Sequence, residues 1–532
     1  METRNIALTV VVLTSLSVVS GVILVWYFVI LPDVTSGVKR GGRPNIIIIL
    51  ADDVGYADFQ TYGHPTQEWT AVDRMVMEGI KFTNFHSPSS ICSPSRAAIL
   101  TGRYPIRTGV FGKGLVFAPS SSGGLRHDET TIAEVLRHGG YITGMNGKWH
   151  LGINEKSATD GVYLPHRYGF DYVGTTLPHS QMWACDPKKY TIPQMKGCFL
   201  YHNDTIVEQP INLNTLTGRL VNETKAFIRE NKDQPFFFLL SFPQTHSAVF
   251  ASTAFLGKSK RSIYGDAINE MGWGIGEVLD YLIELGIEKD TLVVFLSDQG
   301  PLKDGCGNGG STGFFRGGKT TTWEGGIRVP AVAWWPGTIS QKIVCDSLLS
   351  TMDLFPTIIK FASLLNSTTF KQLSIDGKDI SGILKGENSK SPHEVLFYYY
   401  GDLLTAARYD RYKIHYRTMS LMKDVMDGLK EDRCYYGSFS MLQQLFGFQN
   451  RGTEHDPPLI FDLDADPEEL VSLDTTNQEL ENLLETVEDL LQSHKLSIVS
   501  VESEVDKPHM KQLYPCCNPP TCICNYNDKM MK

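Results

Sequence analysis

Three stretches of this chain leave little choice of fold, because each is apolar almost without a break. They are Asn45–Ala51 (NIIIILA), Pro235–Phe242 (PFFFLLSF) and Thr291–Ser297 (TLVVFLS). A strand with one wet face alternates polar and apolar residues. A continuous run belongs to a strand covered on both faces, as in a parallel sheet. Helical patterns lie between the runs: Thr131–His138 stops at Gly139-Gly140, and Ile268–Leu285 stops at Gly286. Such alternation predicts an α/β architecture, a large mostly parallel sheet flanked by helices on both faces. From about Ser391 the texture changes to short strand patterns at Val395–Tyr400, Arg411–Tyr416 and Leu459–Asp462, then an amphipathic helix pattern at Leu480–Leu491. The chain therefore divides into a leading segment over 1–43, a large domain over 44–390 and a smaller α+β domain over 391–532. With 532 residues there is ample material for both cores.

A net charge of −10 gives no basic footprint for nucleic acid. An acidic protein can still bind an anion wherever its site is locally basic. Residues Ile6 to Leu31 form an uncharged, largely apolar run between Arg4 and Pro32-Asp33. A membrane span needs about 20 apolar residues and a signal core only about 7–15, so the run reads as an uncleaved anchor, with a cleaved signal as the alternative. Three glycosylation triplets begin at Asn203, Asn222 and Asn366. Of ten cysteines, Cys516, Cys517, Cys522 and Cys524 crowd the tail, and Cys185 and Cys198 lie a short loop apart. The tail has no paired CxxC spacing and no nearby histidine, so disulfides suit it better than zinc. Setting Cys92 aside leaves nine, so at least one cysteine is free or pairs between chains. These features place the large domain in the secretory pathway, luminal or extracellular and membrane-anchored, with lysosomal or secreted protein as the alternative. A homo-oligomer is left open.

In open α/β sheets ligands gather at the carboxyl ends of the strands. Here those ends carry Asp52-Asp53, Gln244-Thr245-His246 and Asp298-Gln299. Asp52, Asp53, Asp298 and Gln299 offer four side-chain oxygens without thiolate or imidazole, a set for Ca²⁺ or Mg²⁺ rather than zinc. Cys92-Ser-Pro-Ser-Arg96 precedes a helical Ala97–Leu100 and then Thr101-Gly102-Arg103. Pro94 suits a first helical turn, which puts Cys92 at a helix N-terminus, where free N–H groups favour anions.

That C-x-P-S-R…TGR segment resembles the signature of the formylglycine-dependent sulfatases. Other segments are similar in family order: NIIIILADDVGYAD, Gly147-Lys148-Trp149-His150-Leu151-Gly152, Thr245-His246, Ser297-Asp298-Gln299-Gly300, and Gly317-Gly318-Lys319 through Glu324-Gly-Gly-Ile-Arg-Val-Pro330. The likeness runs from about Pro44 to the C-terminus. Within the family it is strongest to arylsulfatase A, through Leu-Pro-His-Ser180 and the cysteine-rich tail. Gln299 in place of asparagine is a steryl-sulfatase feature, whereas the polar stretch Asp171–Thr224 has no counterpart of that branch's membrane hairpin.

The resemblance implies an alkaline-phosphatase-like sulfatase fold and hydrolysis of sulfate esters. It implies oxidation of Cys92 to formylglycine by a formylglycine-generating enzyme, and a divalent cation on Asp52, Asp53, Asp298, Gln299 and residue 92 itself. Arg96 would hold the formylglycine and Asp298 help deprotonate its hydroxyl. Lys148 and Lys319 would neutralise the sulfate, His246 protonate the leaving alcohol, and His150 act in the later expulsion of sulfate. Lys148, Ser180, His246 and Lys319 would contact the substrate, a sulfated small molecule, lipid or glycan. Two other readings compete: a phosphoester hydrolase, which ordinarily has a Ser or Thr nucleophile and a two-zinc site, and an inactive binding glycoprotein, which need not keep Cys92, Lys148 and Asp298.

Overall fold

β1 (Asn45–Ala51) is buried along its whole length because it runs parallel to both its neighbours. β7 (Phe236–Ser241) pairs on one side, from Ile46–Phe237 to Leu50–Ser241. β8 (Thr291–Ser297) pairs on the other, from Asn45–Thr291 to Ala51–Ser297. The computed structural model describes residues 42–180, 185, 197–303, 309–419 and 452–526. Among them the sheet also contains β2 (Ile80–His86), β3 (Ile142–Lys148), β4 (Tyr172–Leu177), β5 (Leu200–His202), β6 (Thr205–Glu208), β9 (Arg328–Trp334), β10 (Ile343–Cys345) and β11 (Leu349–Ser350). Their order is β10-β2-β9-β8-β1-β7-β3-β4-β5-β6, with β11 beside β2. The centre, β4-β3-β7-β1-β8, is parallel, as the unbroken runs require. Towards the edges the sheet is mixed, since β9 opposes β8 and β2, and β5 opposes β4 and β6.

Successive side chains of a strand face opposite ways, and β1 shows the consequence. Ile46, Ile48 and Leu50 enter one layer with the helices Ile132–His138 and Leu354–Phe361. Ile47 and Ile49 enter the other with the helices Leu213–Asn231 and Ser262–Glu284. Each fully buried isoleucine contributes about 1.5–3 kcal/mol of transfer free energy, so a polar substitution on either face disrupts a core. Thr131 caps rather than joins its helix. Its hydroxyl accepts from the Glu134 N–H at 3.2 Å while the Glu134 carboxylate accepts from the Thr131 N–H at 2.8 Å, a reciprocal capping box.

The C-terminal residues form an antiparallel sheet, β12 (Val395–Tyr400), β13 (Leu403–Tyr409), β14 (Tyr412–Thr418) and β15 (Thr453–Asp462). β13 (LLTAARY) was not legible as a strand: its Ala-Ala-Arg centre has no strand preference, and its two neighbours impose the conformation. The long helix Gln478–Ser497 packs on this sheet. Three disulfides, Cys185–Cys198, Cys516–Cys522 and Cys517–Cys524, staple the described residues. Among the described residues Cys345, like Cys92, is unpaired, and Cys306 and Cys434 lie outside them. The apolar run 6–31 also lies outside them. Among the described residues no helix is long and apolar enough to cross a membrane.

His494 ties that helix to the sheet. Its ring stacks on Phe397 at 4.4 Å and its Nε2 meets the Tyr399 hydroxyl at 2.8 Å. Burial first, and then Arg107 and Lys495, push its pKa from 6.5 down to about 4. The unfolded chain therefore takes up this proton at a higher pH than the folded one. The stability is fully present above pH 6.5 and is lost as pH falls towards 4. Denaturant unfolding of wild type at pH 7 and pH 4.5 is expected to show a loss from this residue of about 2 kcal/mol. His494→Gln should flatten the profile by that amount; an unchanged profile would remove His494 as its source.

Candidate active site

Three neighbouring strands deliver their last residues to one edge, and the backbone knots those ends together. The Asp52 N–H donates to the Gln244 carbonyl at 2.8 Å, the Thr245 N–H to the Asp52 carbonyl at 2.5 Å, and the Asp298 N–H to the Ala51 carbonyl at 3.1 Å. Asp53 adopts the left-handed φ of 61°, and its N–H donates to Asp298 Oδ1 at 3.2 Å. The predicted clusters after β1, β7 and β8 thus meet in space.

Cys92 opens the ten-residue helix Cys92–Thr101, every residue of which is buried. Pro94 lies in the first turn, where its missing N–H costs no hydrogen bond, and Gly102 closes the helix at a φ of 66°. Arg96 fixes the helix to the sheet. Its Nε donates to Asp298 Oδ2 at 2.9 Å, and its Nη1 to the Lys148 carbonyl at 3.0 Å and Ser241 Oγ at 2.8 Å. Cys92 Sγ lies 3.8 Å from Asp52 Oδ1 and 3.4 Å from Gln299 Nε2. This thiol stands where the resemblance expects the hydroxyls of a formylglycine hydrate.

The charges pair one to one. Lys148 Nζ donates to both oxygens of Asp52 at 2.6 Å, Lys319 Nζ donates to those of Asp53 at 2.7 and 2.6 Å, and the Arg96 guanidinium pairs with Asp298, its Nη2 lying 2.9 Å from Oδ2. Three carboxylates against three cations sum to zero, so a divalent cation would make the cluster formally +2. That is the local basicity an acidic protein needs to hold an anionic ester. Burial opposes ionisation of Cys92, yet Lys148 and Lys319 pull its thiol well below the usual range. The site favours negative charge at residue 92.

The donor set fits a hard cation. Ligand atoms of Asp52, Cys92 and Asp298 lie within 4.8 Å of one another, as do those of Asp53, Cys92 and His246. Residue 92 belongs to both groups. Gln299 departs from expectation: its Nε2, not its oxygen, faces Asp53 and Cys92, while Oε1 accepts from Ser95 Oγ at 3.1 Å. Rotating the amide by half a turn exchanges the two atoms. Oxygen beside the Asp53 carboxylate is favourable only with a cation between them.

The histidines differ. His246 has its side chain 15% exposed, Nδ1 on the Ser247 carbonyl and Nε2 3.9 Å from Asp53 Oδ2. His150 is buried. Its Nε2 donates to the Phe117 carbonyl at 3.1 Å, and its Nδ1 faces the Ser180 hydroxyl at 3.3 Å. Burial, then Lys148 and Arg96, hold it well below the usual histidine range, so Nδ1 carries no proton and can accept from Ser180. Ser180, expected to contact the substrate, thus lies beside His150. Three contributors were missed. Ser95 bridges the Cys92 carbonyl and Gln299, Ser241 receives Arg96, and Tyr264 links Thr245 to Asp58. Ser95 was visible inside the signature; the other two have no local signal.

A sheet edge with this arrangement of acids, lysines and a helix-borne residue 92 defines a hydrolase of anionic esters. The family model "Sulfatase" matches residues 44–364, and the model "C-terminal region of aryl-sulfatase" matches 391–524. An arylsulfatase of Hemicentrotus pulcherrimus is 41% identical over 91% of this chain and 87% of its own. Human steryl-sulfatase is 34% identical over 80% and 83%, and human arylsulfatase A 34% over 91% and 94%. The PsFucS1 sulfatase from Pseudoalteromonas superposes with a TM-score of 0.72 at 26% identity, covering 87% of this chain and 93% of that one. The chain belongs to the sulfatase family and is a sulfuric ester hydrolase.

Proposed function

We propose that this protein cleaves aryl-type sulfate esters with a formylglycine made from Cys92 and a divalent cation, releasing alcohol and sulfate. The observation that carries the reading is the placement of Cys92 among Asp52, Asp53, Asp298, Gln299, Lys148 and Lys319. The modified residue supplies the nucleophile, and Ca²⁺ or Mg²⁺, held by the four oxygen ligands and residue 92, supplies charge against the sulfate oxygens. Lys148 and Lys319 share that neutralisation, an interaction that strengthens as charge develops. Arg96 holds residue 92 in place through Asp298 and Ser241, and Asp298 accepts a proton from its side chain. His246 donates a proton to the departing alcohol and neutral His150 accepts one afterwards. Ser180 orients His150 and, with Lys148, Lys319 and His246, contacts the substrate.

The three disulfides fit folding in an oxidising compartment. We place the protein in the secretory pathway, matured there by a formylglycine-generating enzyme and acting on a sulfated small molecule, lipid or glycan. Elemental analysis of the purified protein is expected to find about one Ca²⁺ or Mg²⁺ per chain. Chelation should abolish nitrophenyl sulfate hydrolysis, and either ion should restore it. Stoichiometric zinc, or nitrophenyl phosphate preferred over the sulfate, would overturn the reading.

A further inference from the structure

The loop Arg316–Gly326 carries Lys319, and its backbone touches two other parts of the catalytic centre. The Gly300 N–H donates to the Gly326 carbonyl at 2.9 Å, next to Gln299; the Lys319 N–H donates to Pro301 at 2.8 Å; and the Thr320 N–H donates to Ser90 at 3.1 Å, two residues before Cys92. The loop has no slack. A Cβ on Gly300 would lie 2.0 Å from the Gly325 carbonyl oxygen, one on Gly325 2.5 Å from that of Arg316, and one on Gly326 2.1 Å from that of Thr321. A shift at one end therefore reaches the other.

What fixes this loop comes from the C-terminal domain. Glu469, seven residues beyond β15, is fully buried in the left-handed region at a φ of 55°, uncommon for a residue with a side chain. Its Oε2 accepts from the Glu324 N–H at 2.7 Å and its carbonyl from Arg316 Nη1 at 2.8 Å, so it grips both ends of the loop. Its Oε1 meets His415 Nε2 on β14 at 2.7 Å. The Trp323 ring is held between Arg316 at 3.9 Å and His415 at 4.2 Å. Lys413, also on β14, pairs with Glu324 Oε1 at 2.8 Å.

We propose that Glu469 is a positioning residue: from the C-terminal domain it fixes the loop Arg316–Gly326 and, through it, Lys319 and the Asp298–Gln299 pair. This rests on the roles given above to Lys319 and Gln299. Displacing reacting groups by about 1 Å can cost 10²-fold in rate.

The test compares two conservative variants of the full chain. Glu469→Gln keeps the length and an oxygen for the Glu324 N–H. Glu469→Asp keeps the charge but cannot reach both Glu324 and His415. Expected for Asp is a fall in kcat of more than about tenfold, with faster amide exchange in the peptides spanning 298–301 and 317–326 and unchanged exchange in Ser262–Glu284. Gln should stay within about threefold of wild type in both readouts. Wild-type exchange at 298–301 in the Asp variant, or equal losses in both variants that follow their melting temperatures, would overturn the proposal. If wild type hydrolyses no sulfate ester, the function proposed above falls, and the exchange data still decide the role of Glu469.

Discussion

Cys92→Ala protein is expected to hydrolyse nitrophenyl sulfate at least about 10⁴-fold more slowly than wild type, the scale of removing a covalent nucleophile. Nothing else in the site can replace residue 92. It opens the buried helix, lies in both groups of closely spaced ligand atoms, and touches Asp52 and Gln299. The fold should survive, because the change leaves a small methyl group at residue 92 while Arg96 continues to tie the helix to Asp298, Lys148 and Ser241. Far-ultraviolet circular dichroism and the melting temperature check that separately. In active wild type, the peptide containing residue 92 should have the mass of formylglycine. A fully active preparation carrying only unmodified cysteine there would remove the mechanism.

The second large effect separates the histidines. His246, partly exposed and with Nε2 3.9 Å from Asp53, is proposed to protonate the leaving alcohol. His246→Ala should slow alcohol release by about 10²–10⁴-fold for alkyl sulfates, and least for nitrophenyl sulfate, whose leaving group needs little protonation. His150 is buried and neutral, with Nδ1 as its acceptor. His150→Ala should allow one alcohol release per enzyme and then stall. Rapid mixing with nitrophenyl sulfate would show a burst equal to the enzyme concentration before slow turnover. A burst from His246→Ala but not from His150→Ala would reverse the assignment. Full activity in both would make the two histidines structural.

The sequence by itself determined the sheet's centre and the list of groups at its edge. An unbroken apolar run is a local property, so β1, β7 and β8 were legible to within a residue or two, and the polar residues after each strand had to emerge together. The helix at Cys92 was legible because Pro94, Ala97, Ala98 and Gly102 act on their own backbone. Only the tertiary structure decided who pairs with whom. Lys148 meets Asp52 across 96 positions and Lys319 meets Asp53 across 266, and no local pattern distinguishes these pairings from the reverse. The orientation of the Gln299 amide, the strand β13 and the mixed edges depend on neighbours far away in the chain. Glu469 is the extreme case. In the sequence it is one acid among several near a turn, and its importance arises because folding buries its carboxylate against Glu324 and His415, where an unmet polar group is costly.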